Sequence, residues 1–178
     1  MNDQITVEIS DAKITGKPET VDRIRYFAAV GAFTVAWSTL EYLFDLCIAI
    51  IYERAPDGKS LARKIPTALS DKMALFRKAH YKIDELKAHA EEAEKIAEFM
   101  KEVGDIRHMI AHSVAVKSEV LGESHLRRIV RSKSGLREAR GNISTNDIAT
   151  LTRAVTKKFK PLIAYCNFLA ETFPDHSD

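Results

Sequence analysis

A long, almost uncharged stretch near the N-terminus constrains the fold most. From Tyr26 to Tyr52 the only charged residues are Glu41 and Asp45. The stretch is long enough to cross a bilayer, but each carboxylate near the middle of such a span would cost about 3 kcal/mol. A central buried helix explains the pattern better, and we expect no membrane association.

Start and stop signals predict the extent of this first helix and the positions of three more. The first helix is predicted from about Thr20 to Arg54, where the turn residues of Ala55–Gly58 end it. Residues 1–18 alternate weakly and predict a strand or a loose arm. Further helices are predicted from Ser70 to about His80, from about Asp84 to His112, and from Ser144 or Thr145 to about Thr172, with Asp147 completing a cap and Pro161 bending or breaking the last one.

The segment between the last two of these helices has a different pattern. Alternating apolar residues predict two strands around a turn at Gly122, and further loops at Ser132–Gly135 and at Gly141. We therefore expect a mostly all-α fold, an up-and-down bundle of four to five helices in a single domain over residues 19–174. A small β-hairpin at residues 113–132 is inserted before the last helix.

Small residues recur at seven-residue steps along the third helix, at Ala90, Ala97, Gly104 and Ala111. Seven residues are nearly two helical turns, so the four positions form one seam that would let a partner helix approach closely. Alanine is also simply a good helix former, which leaves both explanations open. Gly104 favours a packing role, because glycine inside a helix costs about 1 kcal/mol relative to alanine.

The cysteines and the N-terminus indicate a cytoplasmic protein. Cys47 and Cys166 lie in apolar helical stretches, which predicts buried thiols in a reducing compartment and neither a disulfide nor a metal site. The segment Met1–Gln4 lacks the basic residues and the apolar core of a signal peptide.

Charge is unevenly distributed although the net charge is only +2. Acidic residues dominate from Asp84 to Glu102, and basic residues dominate from His125 to Gly141. Such a basic segment suits phosphate contacts, which supply most non-specific affinity for nucleic acids. It also suits a solvated hairpin whose charges protect a sheet edge, and both explanations stay open. The candidate nucleic-acid-binding residues are Arg127, Arg128, Arg131 and Lys133.

An arginine and two histidines gather at the end of the third helix. Arg107 offers a fixed fork of donors for a phosphate, and the imidazoles of His108 and His112 can transfer protons near neutral pH. Such a set can cleave RNA without a metal or another cofactor, and we expect neither here. Arg107 and His112 lie about 140° apart around a helix, so one helix alone makes a poor pocket from them. Alternatively, the histidines cap helix carbonyls and Arg107 pairs with an acid.

The segment Arg107–His112 (RHMIAH) resembles the Arg-polar-x-x-x-His motif of HEPN domains, helical proteins of prokaryotic toxin–antitoxin and defence systems. Phe33–Tyr42 (FTVAWSTLEY) is similar to the first-helix pattern of such proteins, and the resemblance spans about residues 20–172. It implies a metal-independent endoribonuclease whose homodimer combines two copies of the motif in one cleft. Arg107 would bind the phosphate, His112 would transfer the proton, and His108 would orient the substrate or the cleft.

Other roles follow less directly from this resemblance. We hypothesise that Glu41 is a buried partner that orients Arg107. Val114 stands where some members carry a tyrosine that receives nucleotides, so that mode of control is not expected here. Ser113 replaces a common glycine. Two functions follow: an RNA-cleaving toxin or phage-defence effector with an antitoxin protein as its partner, or a non-catalytic dimeric module that binds a protein or a nucleic acid.

Overall fold

A computed structural model of the protein describes residues 5–9, 12–117, 123–132 and 135–175. Within these residues the chain is mostly helical, with a small β insertion before the final helices, as predicted. The helices are α1 (Pro18–Arg54), α2 (Leu69–Lys82), α3 (Ala90–His112), α4 (Thr145–Lys157) and α5 (Phe159–Thr172). The strands are β1 (Ile5–Ile9), β2 (Ala12–Gly16), β3 (Val114–Lys117), β4 (Glu123–Ser132) and β5 (Gly135–Ser144).

The end of α1 lies where the turn residues predict it. Asp57 adopts a left-handed conformation (φ 58°), and Gly58 then lies against the last carbonyls of the helix. A Cβ at Gly58 would come within 2.8 Å of the Tyr52 carbonyl oxygen, so only glycine fits at this position. A 3₁₀ turn over Asp84–His89 precedes α3, so the third helix begins six residues later than predicted.

The start of α4 is a capping box. The Asp147 carboxylate accepts hydrogen bonds from the Ser144 N–H (2.9 Å) and hydroxyl (2.7 Å), and the Asp147 N–H donates to Ser144 Oγ (3.0 Å). This confirms the predicted helix start. The predicted break also occurs, because α4 ends at Lys157 and Pro161 lies in the first turn of α5, where its missing N–H is tolerated.

The β insertion has one strand more than predicted. Strands β3, β4 and β5 form an antiparallel sheet in that order, and β1 pairs with β2 in a separate hairpin. The predicted loop at Gly141 is wrong, since Gly141 pairs with Leu126 inside β5. Met109 explains this glycine, because a Cβ there would lie 3.2 Å from the Met109 sulfur. The predicted turn at Gly122 lies outside the described residues.

The chain divides into two compact units. The sheet unit comprises Met1–Ala36 and Arg107–Ala154, and the helical unit comprises Trp37–Ile106 and Val155–Asp178. The sheet unit buries a small apolar core drawn from α1, the end of α3, the sheet and α4. Its buried residues include Val21, Phe33, Ile110, Leu126, Ile143 and Ile148.

The helical unit has a larger core of aromatic and aliphatic side chains. Phe44 and Phe76 pack edge to face with their ring centroids 5.1 Å apart. Cys47 and Cys166 are both buried and unbridged, with their sulfurs 2.9 Å apart, so the predicted buried thiols are confirmed. The hydrogen bond between the two thiols and their burial raise the pKa of Cys47, which keeps it a neutral thiol.

The small-residue seam of α3 packs within its own chain. Ala97 is fully buried, and a Cβ at Gly104 would lie 2.7 Å from Leu69 Cδ2 and 3.4 Å from the Trp37 ring. Gly104 therefore has the packing role that its position indicates, but the helices that approach it belong to the same subunit. At these two positions the partner helix that the seam was expected to admit is therefore one of the chain's own.

The long first helix has the length and apolar composition of a membrane span over Thr20–Arg54. In its most apolar window, 44% of the residues are buried against the rest of the protein. The apolar character of α1 is thus explained only partly by the protein's own core.

Candidate active site

Arg107, His108 and His112 occupy the last two turns of α3, in the sheet unit. Arg107 is half-buried, and both histidines are exposed to solvent. Ile110 anchors this part of the helix in the core of the unit. The helix ends at His112, and β3 begins two residues later at Val114. All three side chains predicted for the site are thus on one accessible helix end.

The two imidazoles lie side by side. His108 and His112 are one helical turn apart, and their ring centroids are 4.4 Å apart with an angle of 52° between the ring planes. They stand at the carbonyl end of α3, where the helix dipole favours a positive charge. Such a pair can pass a proton between its members or hold one against an anionic substrate.

Arg107 supplies the guanidinium of the site. Within the part of the chain that the structure describes, its guanidinium makes no hydrogen bond or ion pair. A guanidinium without a partner among the described residues is suited to bind a phosphate oxyanion. The alternative that Arg107 pairs with an acid finds no partner among the described residues.

Ser113 is a residue of this site that the sequence did not single out for chemistry. Its Oγ is buried and makes no hydrogen bond within the described residues. A buried hydroxyl without a partner is unusual, and this one directly follows His112. The only sequence signal was the replacement of a common glycine by serine in the motif.

Glu41 lies in the helical unit, and its described contacts are with residues of that unit. Its carboxylate accepts a hydrogen bond from the Trp37 indole (3.0 Å) and lies 3.9 Å from Lys72 Nζ. Lys72 is almost fully buried and pairs with Asp45 at 2.6 Å. These contacts account for the carboxylates of the apolar helix, and the proposed role of Glu41 toward Arg107 stays a prediction.

The predicted nucleic-acid-binding residues divide between the faces of the sheet. The alternation of side chains along β4 places Arg127 on the exposed face and Arg128 on the opposite face, which carries the buried Leu126. Arg131 pairs with Leu136 near the end of the strand. Lys133 lies outside the described residues.

The described residues contain no group of three or more histidine, cysteine, aspartate or glutamate side chains placed to hold a metal ion. A cavity of about 190 Å³ lies in the helical unit. Leu40, Phe99, Met100 and Leu162 line it, and the Lys158 ammonium stands 5.1 Å from the Phe99 ring centroid. None of the motif residues lines this cavity.

Comparison with known proteins found no family model, no curated protein and no solved structure that matches the chain. The assignment of a function therefore depends on the residues of the site.

Proposed function

We propose that the protein is a HEPN-like, metal-independent endoribonuclease that acts as a toxin or defence effector in the cytoplasm. The observation that carries this proposal is the clustering of Arg107, His108 and His112 at one accessible helix end, with the guanidinium unpaired among the described residues. Two imidazoles beside an arginine are more than a binding surface needs. In this proposal an antitoxin protein restrains the enzyme.

The proposed reaction is an internal attack within the RNA backbone. His112 takes the proton of the ribose 2′-hydroxyl while the 2′ oxygen forms a bond to phosphorus. The bond from phosphorus to the 5′ oxygen breaks, and a protonated imidazole gives its proton to that oxygen. Arg107 stabilises the charge on the phosphoryl oxygens. The products are a 2′,3′-cyclic phosphate and a 5′-hydroxyl end.

The acid and the base of this reaction come from two imidazoles. Arg107 and His112 point about 140° apart around α3, so the cleft is proposed to be completed by a second copy of the chain. His112 of one subunit is the base, and His112 of the other is the acid. His108, in ring contact with His112, orients the substrate and the neighbouring imidazole.

An exposed apolar face of α1 supports the homodimer. In the sheet unit, Phe27 is 61% exposed and Val35 is 69% exposed, with Gly31 between them. A Cβ at Gly31 would meet nothing within 4 Å, so the backbone there is open to a second helix. The same face on a two-fold-related copy would cover these side chains. Phe27→Glu should give monomers in sedimentation experiments.

The test is cleavage of a mixed RNA pool by the purified full chain in EDTA. The wild type should cut, and Arg107→Ala and His112→Ala should abolish cutting while their melting curves stay unchanged. His89→Ala removes an imidazole outside the motif and serves as the control that should keep full activity. Intact RNA after incubation with the wild type, with or without added divalent metal, would reject the nuclease.

The alternative is a non-catalytic dimeric module that binds a nucleic acid or a protein partner, and the arginines of β4 and β5 favour it. It predicts salt-sensitive RNA binding that survives His112→Ala and weakens on charge reversal at Arg127, Arg128 and Arg131. Absence of cleavage together with such binding selects this function.

A further inference from the structure

Two arginines face each other directly across the sheet. Arg127 on β4 and Arg140 on β5 are register partners in the antiparallel pair. Their side chains therefore leave the same face of the sheet about 5 Å apart at their Cβ atoms. Like charges in this position destabilise a sheet, so the pair needs either a compensating anion or a functional reason.

A single carboxylate compensates the pair only in part. Glu138 Oε2 lies 2.6 Å from the Arg140 guanidinium, while its other oxygen lies 3.9 Å from Arg127 Nε. The side chains of Arg127 and Arg140 are 48% and 71% exposed. Two guanidinium groups thus share one carboxylate and keep donors directed to solvent.

The neighbours on this face suit a strand of nucleic acid. His125 Nδ1 and Asn142 Oδ1, the next register pair on the face, are 2.7 Å apart. Ile129 and Val114 lie on the same face and are 68% and 69% exposed. The face therefore offers a paired cation, polar groups and apolar side chains that can contact sugars and bases.

The chain itself keeps this face close to the motif. Val114 follows His112 by two residues, so the Cα atoms of these residues are at most about 7 Å apart. Both belong to the sheet unit. An RNA strand that passes His112 can therefore continue onto the outer face of the sheet.

We propose that the Arg127–Arg140 pair binds a phosphodiester group of the RNA substrate next to the one that is cleaved. The inference rests on the proposed function, since RNA is the ligand it assigns. It adds Arg140 to the substrate-binding residues and makes Arg127, and not Arg128, the arginine of β4 that contacts the backbone.

The experiment compares the two faces of the same two strands. The probe is a fluorescein-labelled, 20-nucleotide single-stranded RNA of mixed sequence, measured by fluorescence anisotropy with the His112→Ala protein so that no cleavage occurs. The outer-face variant is Arg127→Glu with Arg140→Glu. The matched control is Arg128→Glu with Arg137→Glu, an equal charge change whose positions pair with Ala139 and Val130 on the opposite face.

The outer-face variant should bind RNA about tenfold more weakly at 0.1 M salt and show a shallower salt dependence, as expected when both cations that contact this phosphodiester group are lost. The control should stay within about threefold of the parent. Glu138→Gln should tighten binding, because it removes the carboxylate that competes with phosphate. Should the charge reversal unfold the sheet, Arg127→Gln with Arg140→Gln is the second variant. It removes both positive charges but keeps long polar side chains, and it should also weaken RNA binding.

Several outcomes would overturn the inference. If both double variants weaken RNA binding equally, the attraction is diffuse. If neither weakens it, the RNA binds elsewhere. If poly-glutamate binds more tightly than RNA, the pair is assigned to an acidic protein. Cleavage by the protein with native His112 separates the two proposals. If the outer-face variant cuts RNA as fast as the wild type, the phosphate-binding role of the Arg127–Arg140 pair is rejected and the nuclease proposal stands. If RNA binds at the pair but is never cut, the nuclease proposal alone is rejected.

Discussion

The imidazole of His80 and the hydroxyl of Tyr165 share a hydrogen bond in the interior of the helical unit. His80 Nδ1 lies 2.7 Å from the Phe76 carbonyl, so Nδ1–H donates there and Nε2 accepts the Tyr165 proton. Burial lowers the pKa of His80 and raises that of Tyr165, which holds both in their neutral forms. The pair is complete only while His80 carries a single proton.

This bond makes stability depend on pH. In the unfolded chain His80 takes up a proton near pH 6.5, whereas the folded chain resists protonation. The unfolded state therefore binds more protons below this pH, and the contribution is present above about pH 6.5 and lost as the pH falls. Urea unfolding between pH 7.5 and 5 should show this decline, and His80→Gln should flatten it.

Gly104 is expected to accept a larger side chain only at a cost in stability. Gly104→Val should lower the free energy of unfolding by about 1–3 kcal/mol, because the added atoms meet Leu69 and Trp37. Ala74→Val on the exposed face of α2 should cost only the helix propensity difference, about 0.5 kcal/mol. Equal losses for the two variants in thermal melts would contradict the close packing at Gly104.

Asp45 is expected to contribute more to stability than a fully exposed acidic residue does. Among the described residues, Asp45→Ala leaves the buried Lys72 ammonium with Glu41 at 3.9 Å as its one acidic neighbour. The variant should be destabilised by about 1–2 kcal/mol, since Asp45 itself is 44% exposed. Glu91→Ala breaks the exposed pair with Lys95 and should destabilise the protein distinctly less. Denaturant titration of both variants measures the difference.

Ser144 is expected to determine where α4 starts. Ser144→Ala removes two of the three hydrogen bonds of the capping box, those made by the hydroxyl, and should cost about 1 kcal/mol. Ser38→Ala, exposed in the middle of α1, provides the comparison and should be neutral or slightly stabilising, because alanine is the better helix former. A loss at Ser144 no greater than at Ser38 would argue against the cap.

Arg107→Lys tests whether the guanidinium acts through its shape. Lysine keeps the charge but loses the fork of donors, so kcat for RNA cleavage should fall about 100-fold or more while the melting temperature is unchanged. Arg63→Lys, exposed in the helical unit, should retain wild-type activity. Full activity of the Arg107→Lys protein would leave the arginine with an electrostatic role only.

Local chemistry made part of the fold predictable. The apolar run of α1 ends at turn-forming residues that do not favour a continued helix. The Ser144–Asp147 cap depends on side chains three residues apart. The motif residues of α3 were placed on one helix end from their spacing alone. In these cases the interactions that determine the structure lie within a few residues of each other.

Tertiary packing decided what the sequence did not predict. In β5 the face opposite Arg140 carries Arg137, Ala139 and Gly141, so the apolar alternation that signals a strand is weak. Gly141 suggested a loop because Met109, whose sulfur occupies the space of a side chain, is far away in sequence. The pairing of Arg127 with Arg140 could not be predicted for the same reason, because it depends on the register between β4 and β5.

The interleaving of the two units has a practical consequence. A contiguous fragment that holds all of the sheet unit, Met1–Ala154, also carries residues 37–106, which belong to the other unit. The candidate site therefore cannot be excised by trimming the gene from its ends. Grafting it into another protein would need an artificial linker from Ala36 to Arg107, and evolution could transfer the Arg107–His112 centre only together with most of its host.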